Sequence, residues 1–221
     1  MQTIRVWDLP TRLFHWTLAC AVVGLVTTAQ LGGSWMDWHL RLGYLVLALL
    51  LFRLIWGCVG GHWSRFGTFI PSPRRLLDHL RNPAAPSSHV GHTPHGALSV
   101  LAMLAVLFAQ VGTGLFSDDE IATSGPLSRF ASGEWVGRAT EYHTAVGKYL
   151  LLGLVVLHVV AILVYWLKKG QKLVPPMLHG NTAAPDGAPS AKDDIATRSK
   201  ALVIFVICAG VVAFLVKWSQ S

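Results

Sequence analysis

Four histidines lie at the ends of long apolar segments in this sequence of 221 residues: His15, His39, His143 and His158. An imidazole in a lipid environment is costly unless it binds a metal or is hydrogen-bonded. Two imidazoles that face each other can supply both axial ligands of a haem iron. Four such residues at two depths therefore predict two stacked haems b, and with them electron transfer across a membrane.

The elements that must hold these histidines are membrane-spanning helices. Hydrophobic residues make up 52% of the chain and charged residues only 13%, a composition that disfavours a soluble globular protein. Five apolar runs are near the length of about 20 residues that crosses a bilayer as a helix. They extend over 13–31, 40–60, 96–116, 146–167 and 201–216, and the last is short. The predicted fold is all-α, an integral membrane helical bundle of four haem-binding helices and a fifth, carboxyl-terminal one.

The formal net charge of +7 does not indicate a nucleic-acid partner, because the basic residues cluster beside the apolar runs. Lysine and arginine instead mark the cytoplasmic side of a membrane protein. They precede the first run and follow the second and fourth runs: Arg5, Arg12, Arg65, Arg74, Arg75, Arg81, Lys168, Lys169, Lys172, Lys192, Arg198 and Lys200. This distribution predicts a cytoplasmic amino terminus and an external carboxyl terminus. A cleaved signal peptide is the alternative for the first run, but no clear A-x-A site follows it.

The chain divides into three predicted parts. Residues 1–170 form a di-haem four-helix membrane domain, and residues 201–221 form an additional transmembrane helix. Residues 171–200 are rich in proline and glycine. That segment shows no core-forming pattern and predicts a flexible cytoplasmic connector.

The depth of each histidine follows from this topology. His15 begins the first span on the inside, and His39 opens the second on the outside. His143 and His158 are fifteen residues apart on the fourth span, so they are separated by about 22 Å and by only about 60° around the helix axis. Matching by depth pairs His15 with His158 at an inner haem and His39 with His143 at an outer haem. Isolated interfacial histidines are the alternative interpretation.

His95 complicates the inner pair, because it opens the third span on the same side. It could replace either inner ligand. The neighbouring Pro94 and Gly96 are more typical of the end of a loop. His89, His92 and His95 have the spacing of a metal cluster, but Pro94 would prevent a regular helix from aligning the three.

Arg53 is a second polar residue within an apolar run. It lies fourteen residues beyond His39, hence about 21 Å deeper and about 40° away around the helix. That position is at the level of the inner haem, where a propionate would satisfy its charge. Snorkelling to the headgroups is the alternative. Arg12 and Arg41 are weaker candidates for binding a propionate.

Several motifs then resemble a known family. They are RLFHW around His15, WHLRLGY around His39, FRLIWG with the following SRF and PSP, YHTAVGKY around His143 and LHVVA around His158. The first 180 or so residues resemble the prokaryotic cytochrome b561 family, which includes the b-type cytochrome subunits of nickel–iron hydrogenases. The resemblance implies a four-helix bundle with two haems b in a bacterial inner membrane. It implies the ligands His15, His39, His143 and His158, with Arg53 at the place of a family arginine.

The function that follows is transmembrane electron transfer between the quinone pool and a periplasmic c-type cytochrome or membrane-attached oxidoreductase. An acidic run at 118–120 could steer a basic carrier to the outer haem. Two alternatives stay open: a superoxide or small-molecule:quinone oxidoreductase, and an anchor subunit of a larger oxidoreductase such as a hydrogenase. Whether the chain is itself an enzyme is therefore undecided at this point. Membrane lipid is an expected partner, and an oligomer is compatible with the sequence.

Overall fold

A computed structural model describes residues 1–70, 91 and 93–221. The elements in chain order are β1 (Gln2–Arg5), α1 (Leu9–Leu31), α2 (Met36–Val59), α3 (Phe66–Phe69), α4 (Pro94–Gly114), α5 (Gly133–Glu141), α6 (Lys148–Lys169), α7 (Val174–His179), β2 (Asn181–Ala184) and α8 (Ile195–Gln220). A π turn, Tyr142–Gly147, joins α5 to α6. Five residues used above, Arg74, Arg75, Arg81, His89 and His92, lie outside the described residues, as does the PSP motif.

Five helical stretches of the described chain are long and apolar enough to cross a bilayer: α1, α2, α4, the joined α5 and α6, and α8. This confirms the all-α membrane bundle. The last spanning helix, α8, has 26 residues and extends beyond the apolar run 201–216 at both ends. Its first turns contain Thr197, Arg198 and Lys200, whose polarity conceals the beginning of the helix in a hydropathy pattern.

Side-chain caps set where three of the spanning helices begin. Asp8 Oδ1 accepts the backbone N–H of Thr11 at 2.8 Å ahead of α1. Asp194 Oδ1 accepts the N–H of Thr197 at 2.8 Å ahead of α8, and Thr93 caps α4 in the same way. Each cap satisfies a donor that the first helical turn leaves without an intrahelical partner.

Helix α2 lies at the centre of the bundle and packs against α1, α4 and α8, while α4 also packs against α6. Val46, Leu50 and Trp56 of α2 are almost completely buried. Large apolar side chains elsewhere on the helices, such as Val156 and Phe214, are exposed. Exposed apolar faces of this kind are the surfaces that lipid covers in a membrane protein.

The two ends of the bundle differ. The amino-terminal face carries residues 1–8, 60–70 and 171–194, and the distal face carries residues 32–35 and 115–132. On the amino-terminal face, β1 pairs antiparallel with β2, with Gln2 opposite Ala184. We call residues 1–8 and 171–194 together the amino-terminal cap.

The cap has its own small core and a central ion-pair cluster. Ile4, Val6 and Ala184 are buried together. Asp193 forms ion pairs with Arg5 and, at 3.0 Å, with Arg198. Residues 181–184 are therefore part of a sheet with a small core, which corrects the prediction of a flexible connector over 171–200. The partner strand lies at the other end of the chain, so no local pattern within 171–200 could indicate the pairing.

Candidate haem site

The structure brings the four histidines together in the predicted pairs. The ring centres of His15 and His158 are 6.4 Å apart, with an angle of 54° between the ring planes. Those of His39 and His143 are 6.0 Å apart, with an angle of 88°. All four side chains are half-buried within the bundle. The first pair lies towards the amino-terminal face and the second towards the distal face.

The separation within each pair fits one metal atom between the rings. Two metal–nitrogen bonds of about 2 Å and two ring half-widths of about 1 Å place the ring centres about 6 Å apart. The observed 6.0 and 6.4 Å agree with that value. A nitrogen pair from two imidazoles is also the axial donor set that b-type haem iron takes. The residues therefore fit a haem at each pair.

Hydrogen bonds at the distal pair determine which ring nitrogen is left to bind metal. His39 Nδ1 is 3.0 Å from the carbonyl oxygen of Leu25, and His143 Nδ1 is 2.8 Å from that of Gln110. A carbonyl only accepts, so each Nδ1 carries the proton and donates it. The lone pair of each Nε2 is then available for a metal, the usual arrangement for a metal-binding histidine.

His143 lies in the π turn, where the helix widens. π turns are rare and occur frequently at functional sites. Gln110 of α4 makes two hydrogen bonds with His143. Its side-chain Nε2 donates to the carbonyl of His143 at 2.8 Å, and its backbone carbonyl accepts from His143 Nδ1. A Cβ on Gly114 would lie only 2.8 Å from His143 Cε1, so glycine there makes room for the ring.

The π turn also preserves the shared face of α6. It accommodates about one extra residue, so His143 and His158 are separated by about fourteen α-helical steps. Fourteen steps correspond to about 21 Å and about 40° around the axis. One helix thus supplies a ligand to each pair.

The pair near the amino-terminal face differs in its hydrogen bonding. His15 Nδ1 is buried and has no hydrogen-bond partner among the described residues. Its ring meets the edge of Trp16 at 5.0 Å between ring centres. A buried polar nitrogen without a protein partner is rare in folded proteins, and a bound group at this pair would account for it. His95 is exposed at the beginning of α4, and neither ring pair includes it.

Arg53 is held by protein groups. Its side chain is buried, with only 4% of the residue exposed, which excludes snorkelling to the headgroups. Nη1 donates to the carbonyl of Ser64 at 3.0 Å, and the guanidinium carbon lies 4.6 Å from the centre of the Phe66 ring. Ser64 in turn donates to Asp8 at 2.9 Å. Hydrogen bonding, cation–π contact and a nearby carboxylate therefore account for the buried charge without a propionate.

Arg12 and Arg41 have different surroundings. Arg12 donates to the carbonyl of Leu178 and lies 3.8 Å from Asp193. Its Nε is buried without a partner among the described residues, and it lies one turn from His15. Arg41 is exposed and stacks over Trp38 at 5.1 Å. Of these three arginines, Arg12 is the one with a buried nitrogen that has no partner among the described residues.

Two residues of the site were not recognised from the sequence. Gln110 is polar within an apolar run, and a polar residue at membrane depth is a signal of function. Gly114 is one of several glycines in the apolar runs, and sequence alone does not separate room for a cofactor from close helix packing at such a position. The carbonyl of Leu25 carries no signal in the sequence at all.

A membrane helical bundle with two facing histidine pairs defines a membrane-bound b-type cytochrome. Comparison with known families agrees, because the family described as prokaryotic cytochrome b561 matches residues 6–180. The chain belongs to that family. It is therefore a multi-pass membrane protein that binds haem b and transfers electrons.

Curated relatives extend the comparison. The chain is similar to three proteins, each named "Probable Ni/Fe-hydrogenase B-type cytochrome subunit". That of Cupriavidus necator is 28% identical, over 81% of this chain and 87% of the relative. That of Bradyrhizobium diazoefficiens is 25% identical, over 80% and 85% of the two chains. That of Azotobacter vinelandii is 24% identical, over 84% and 91%. No solved structure matches the chain.

Proposed function

We propose that the chain binds two haems b and carries electrons between membrane quinone and a redox partner at the distal face. His15 and His158 hold the inner haem, and His39 and His143 hold the outer one. The proposal rests on the two histidine pairs, in each of which the ring centres are about 6 Å apart. Their separation of about 21 Å along α6 covers most of the bilayer's hydrocarbon thickness of about 30 Å.

Main-chain groups of the chain orient the ligands of the outer pair. Hydrogen bonds from His39 and His143 to main-chain carbonyls fix the ring orientation and raise the basicity of Nε2. The haem supplies the one-electron chemistry. Arg12 offsets the negative charge of a propionate at the inner site, because its buried Nε lies one turn from His15.

The proposed orientation has the amino-terminal face in the cytoplasm of a bacterial cell, at the inner membrane. Arg5 and Lys192 in the cap, Lys169 at the end of α6 and Lys200 at the start of α8 lie on that face. Lysine and arginine concentrate on the cytoplasmic side of membrane proteins. The carboxyl terminus of α8 is then periplasmic, on the distal face.

The proposed partner is a membrane-attached oxidoreductase or a c-type cytochrome at the distal face. The curated relatives are named as hydrogenase subunits, which supports the oxidoreductase. The distal loop contains Asp118, Asp119 and Glu120, and this charge attracts a basic surface. The same charge repels superoxide, so it disfavours a superoxide:quinone oxidoreductase.

The haem content tests the proposal directly. We expect two haems b per chain in a pyridine haemochrome assay. His143→Ala should remove only the outer haem, because the inner pair shares no ligand with it, and His62→Ala should keep both. One haem in the unaltered protein would overturn the assignment. Loss of the inner haem in His143→Ala would show that the pairing is wrong.

A further inference from the structure

A basic cavity of about 380 Å³ lies on the amino-terminal face, between the end of α2 and the beginning of α8. It is distinct from both histidine pairs. Three cationic side chains line it, Arg65, Lys192 and Lys200, together with the hydroxyl-bearing Ser190 and Thr197. Among the described residues, no aspartate or glutamate lines the cavity.

Two of the cations are held in place by the protein. Arg65 Nε donates to the carbonyl of Gly60 at 3.0 Å, and Lys200 Nζ donates to the carbonyl of Val59 at 3.1 Å. Both carbonyls are at the end of α2, which leaves its last carbonyls without intrahelical partners. The side chains are therefore positioned beside the cavity without a ligand. A guanidinium retains further N–H donors after one such bond, and an ammonium retains two.

The hydroxyl and the nearby acids add to this arrangement. Ser190 Oγ accepts the backbone N–H of Arg5 at 3.1 Å, which leaves its own hydrogen free to donate. Asp193 is occupied by its arginine partners, and Asp194 by the N–H of Thr197. Asp194 lies close enough to Lys192 for the two charges to interact, but neither aspartate lines the cavity, and the three cations leave a net positive charge there. The cavity offers several donors and positive charge, which is the environment that a phosphate group requires.

We propose that this cavity binds a phosphate group, and that its source is the headgroup of an anionic phospholipid. The site lies where two spanning helices end, at the depth of the headgroups. Basic pockets between transmembrane helices on the cytoplasmic side bind such headgroups. A soluble phosphate compound has the same chemistry and is the other source to be distinguished.

The test uses the full-length, haem-loaded protein in a non-ionic detergent. Bound lipid is counted by native mass spectrometry after addition of phosphatidylglycerol, phosphatidylcholine or inorganic phosphate. We expect retention of phosphatidylglycerol over phosphatidylcholine. Lys192→Gln should weaken phosphatidylglycerol binding about fivefold, the effect of one lysine near a membrane surface. Lys172→Gln removes a lysine of the same face outside the cavity and should have no effect.

The outcomes separate the two sources. A soluble phosphate compound is the natural occupant if inorganic phosphate at millimolar concentration displaces phosphatidylglycerol. In that case the Lys192→Gln variant should also lose its binding of inorganic phosphate. Arg65→Gln combined with Lys192→Gln and Lys200→Gln should abolish the lipid preference while the haem spectrum stays unchanged. If that triple variant retained phosphatidylglycerol like the unaltered protein, or if Lys172→Gln lost it equally, the proposal would be overturned.

Discussion

Replacing Gln110 by leucine tests how the bundle positions the outer histidine. The variant removes the hydrogen bond from Gln110 Nε2 to the carbonyl of His143, but keeps the backbone carbonyl that accepts from His143 Nδ1. We expect the π turn to lose its lateral support. His143 would then leave the position that faces His39.

The expected magnitude follows from the groups that are lost. One hydrogen bond contributes about 1 kcal/mol net, which corresponds to about a fivefold change in an equilibrium constant. Gln110 Oε1 is buried without a partner among the described residues, and removing such a group recovers part of that loss. We therefore expect outer-haem affinity to fall by about two- to fivefold, while the melting temperature of the protein changes little.

The assay is haem titration of the apoprotein at limiting haem, followed by redox titration of the loaded protein. Gln30→Leu is the matched control, because Gln30 is exposed near the same face at the end of α1. An unchanged outer-haem affinity and potential in Gln110→Leu would refute the positioning role. An equal loss of outer-haem affinity in Gln30→Leu would also refute it, because the effect would then come from losing any amide side chain.

Three further predictions concern charged residues. Arg12→Leu should lower the midpoint potential of the inner haem in a redox titration, because less positive charge then stabilises the reduced state, whereas Arg41→Leu should leave it unchanged. Backbone hydrogen bonds from Thr123, Ala122 and Ile121 lower the pKa of Asp119 to about 2. A pKa that is lower in the folded protein than in the unfolded chain, where it is near 4, stabilises the fold at pH values above 4. The distal loop should therefore stay protected from hydrogen exchange at pH 5 and lose this protection only as the pH falls towards 2. Asp193→Asn should lower the melting temperature in thermal unfolding, because it removes the charge that pairs with Arg5, Arg12 and Arg198 at the cap; an unchanged melting temperature would contradict this.

The large-scale arrangement was predictable because its signals are local and periodic. Apolar runs of membrane length specify helices wherever lipid must be crossed. The pairing of His39 with His143 followed from depth alone, because residues on different spanning helices can face each other only where they lie at the same depth in the bilayer. His15 and His158 were found by the same reasoning.

The details that were missed depend on contacts between distant parts of the chain. The role of Gln110 depends on a π turn 33 residues further along the chain, which hydropathy does not predict. Arg53 has its partners in Ser64 and Phe66, beyond the end of its own helix. The first strand, β1, is too short to be recognised before its partner β2 is known.

The amino-terminal cap has a consequence for how the protein is made. Gln2 pairs with Ala184, so β1 cannot close until almost the whole chain has left the ribosome. Arg12 and Trp16, which flank His15 on α1, bond to the carbonyls of Leu178 and Met177 in the cap. The inner histidine pair forms once the fourth span, which carries His158, is in place, and the cap covers its amino-terminal side only when β2 has paired with β1. A haem that enters the inner pair from this face would therefore have to do so before the cap closes.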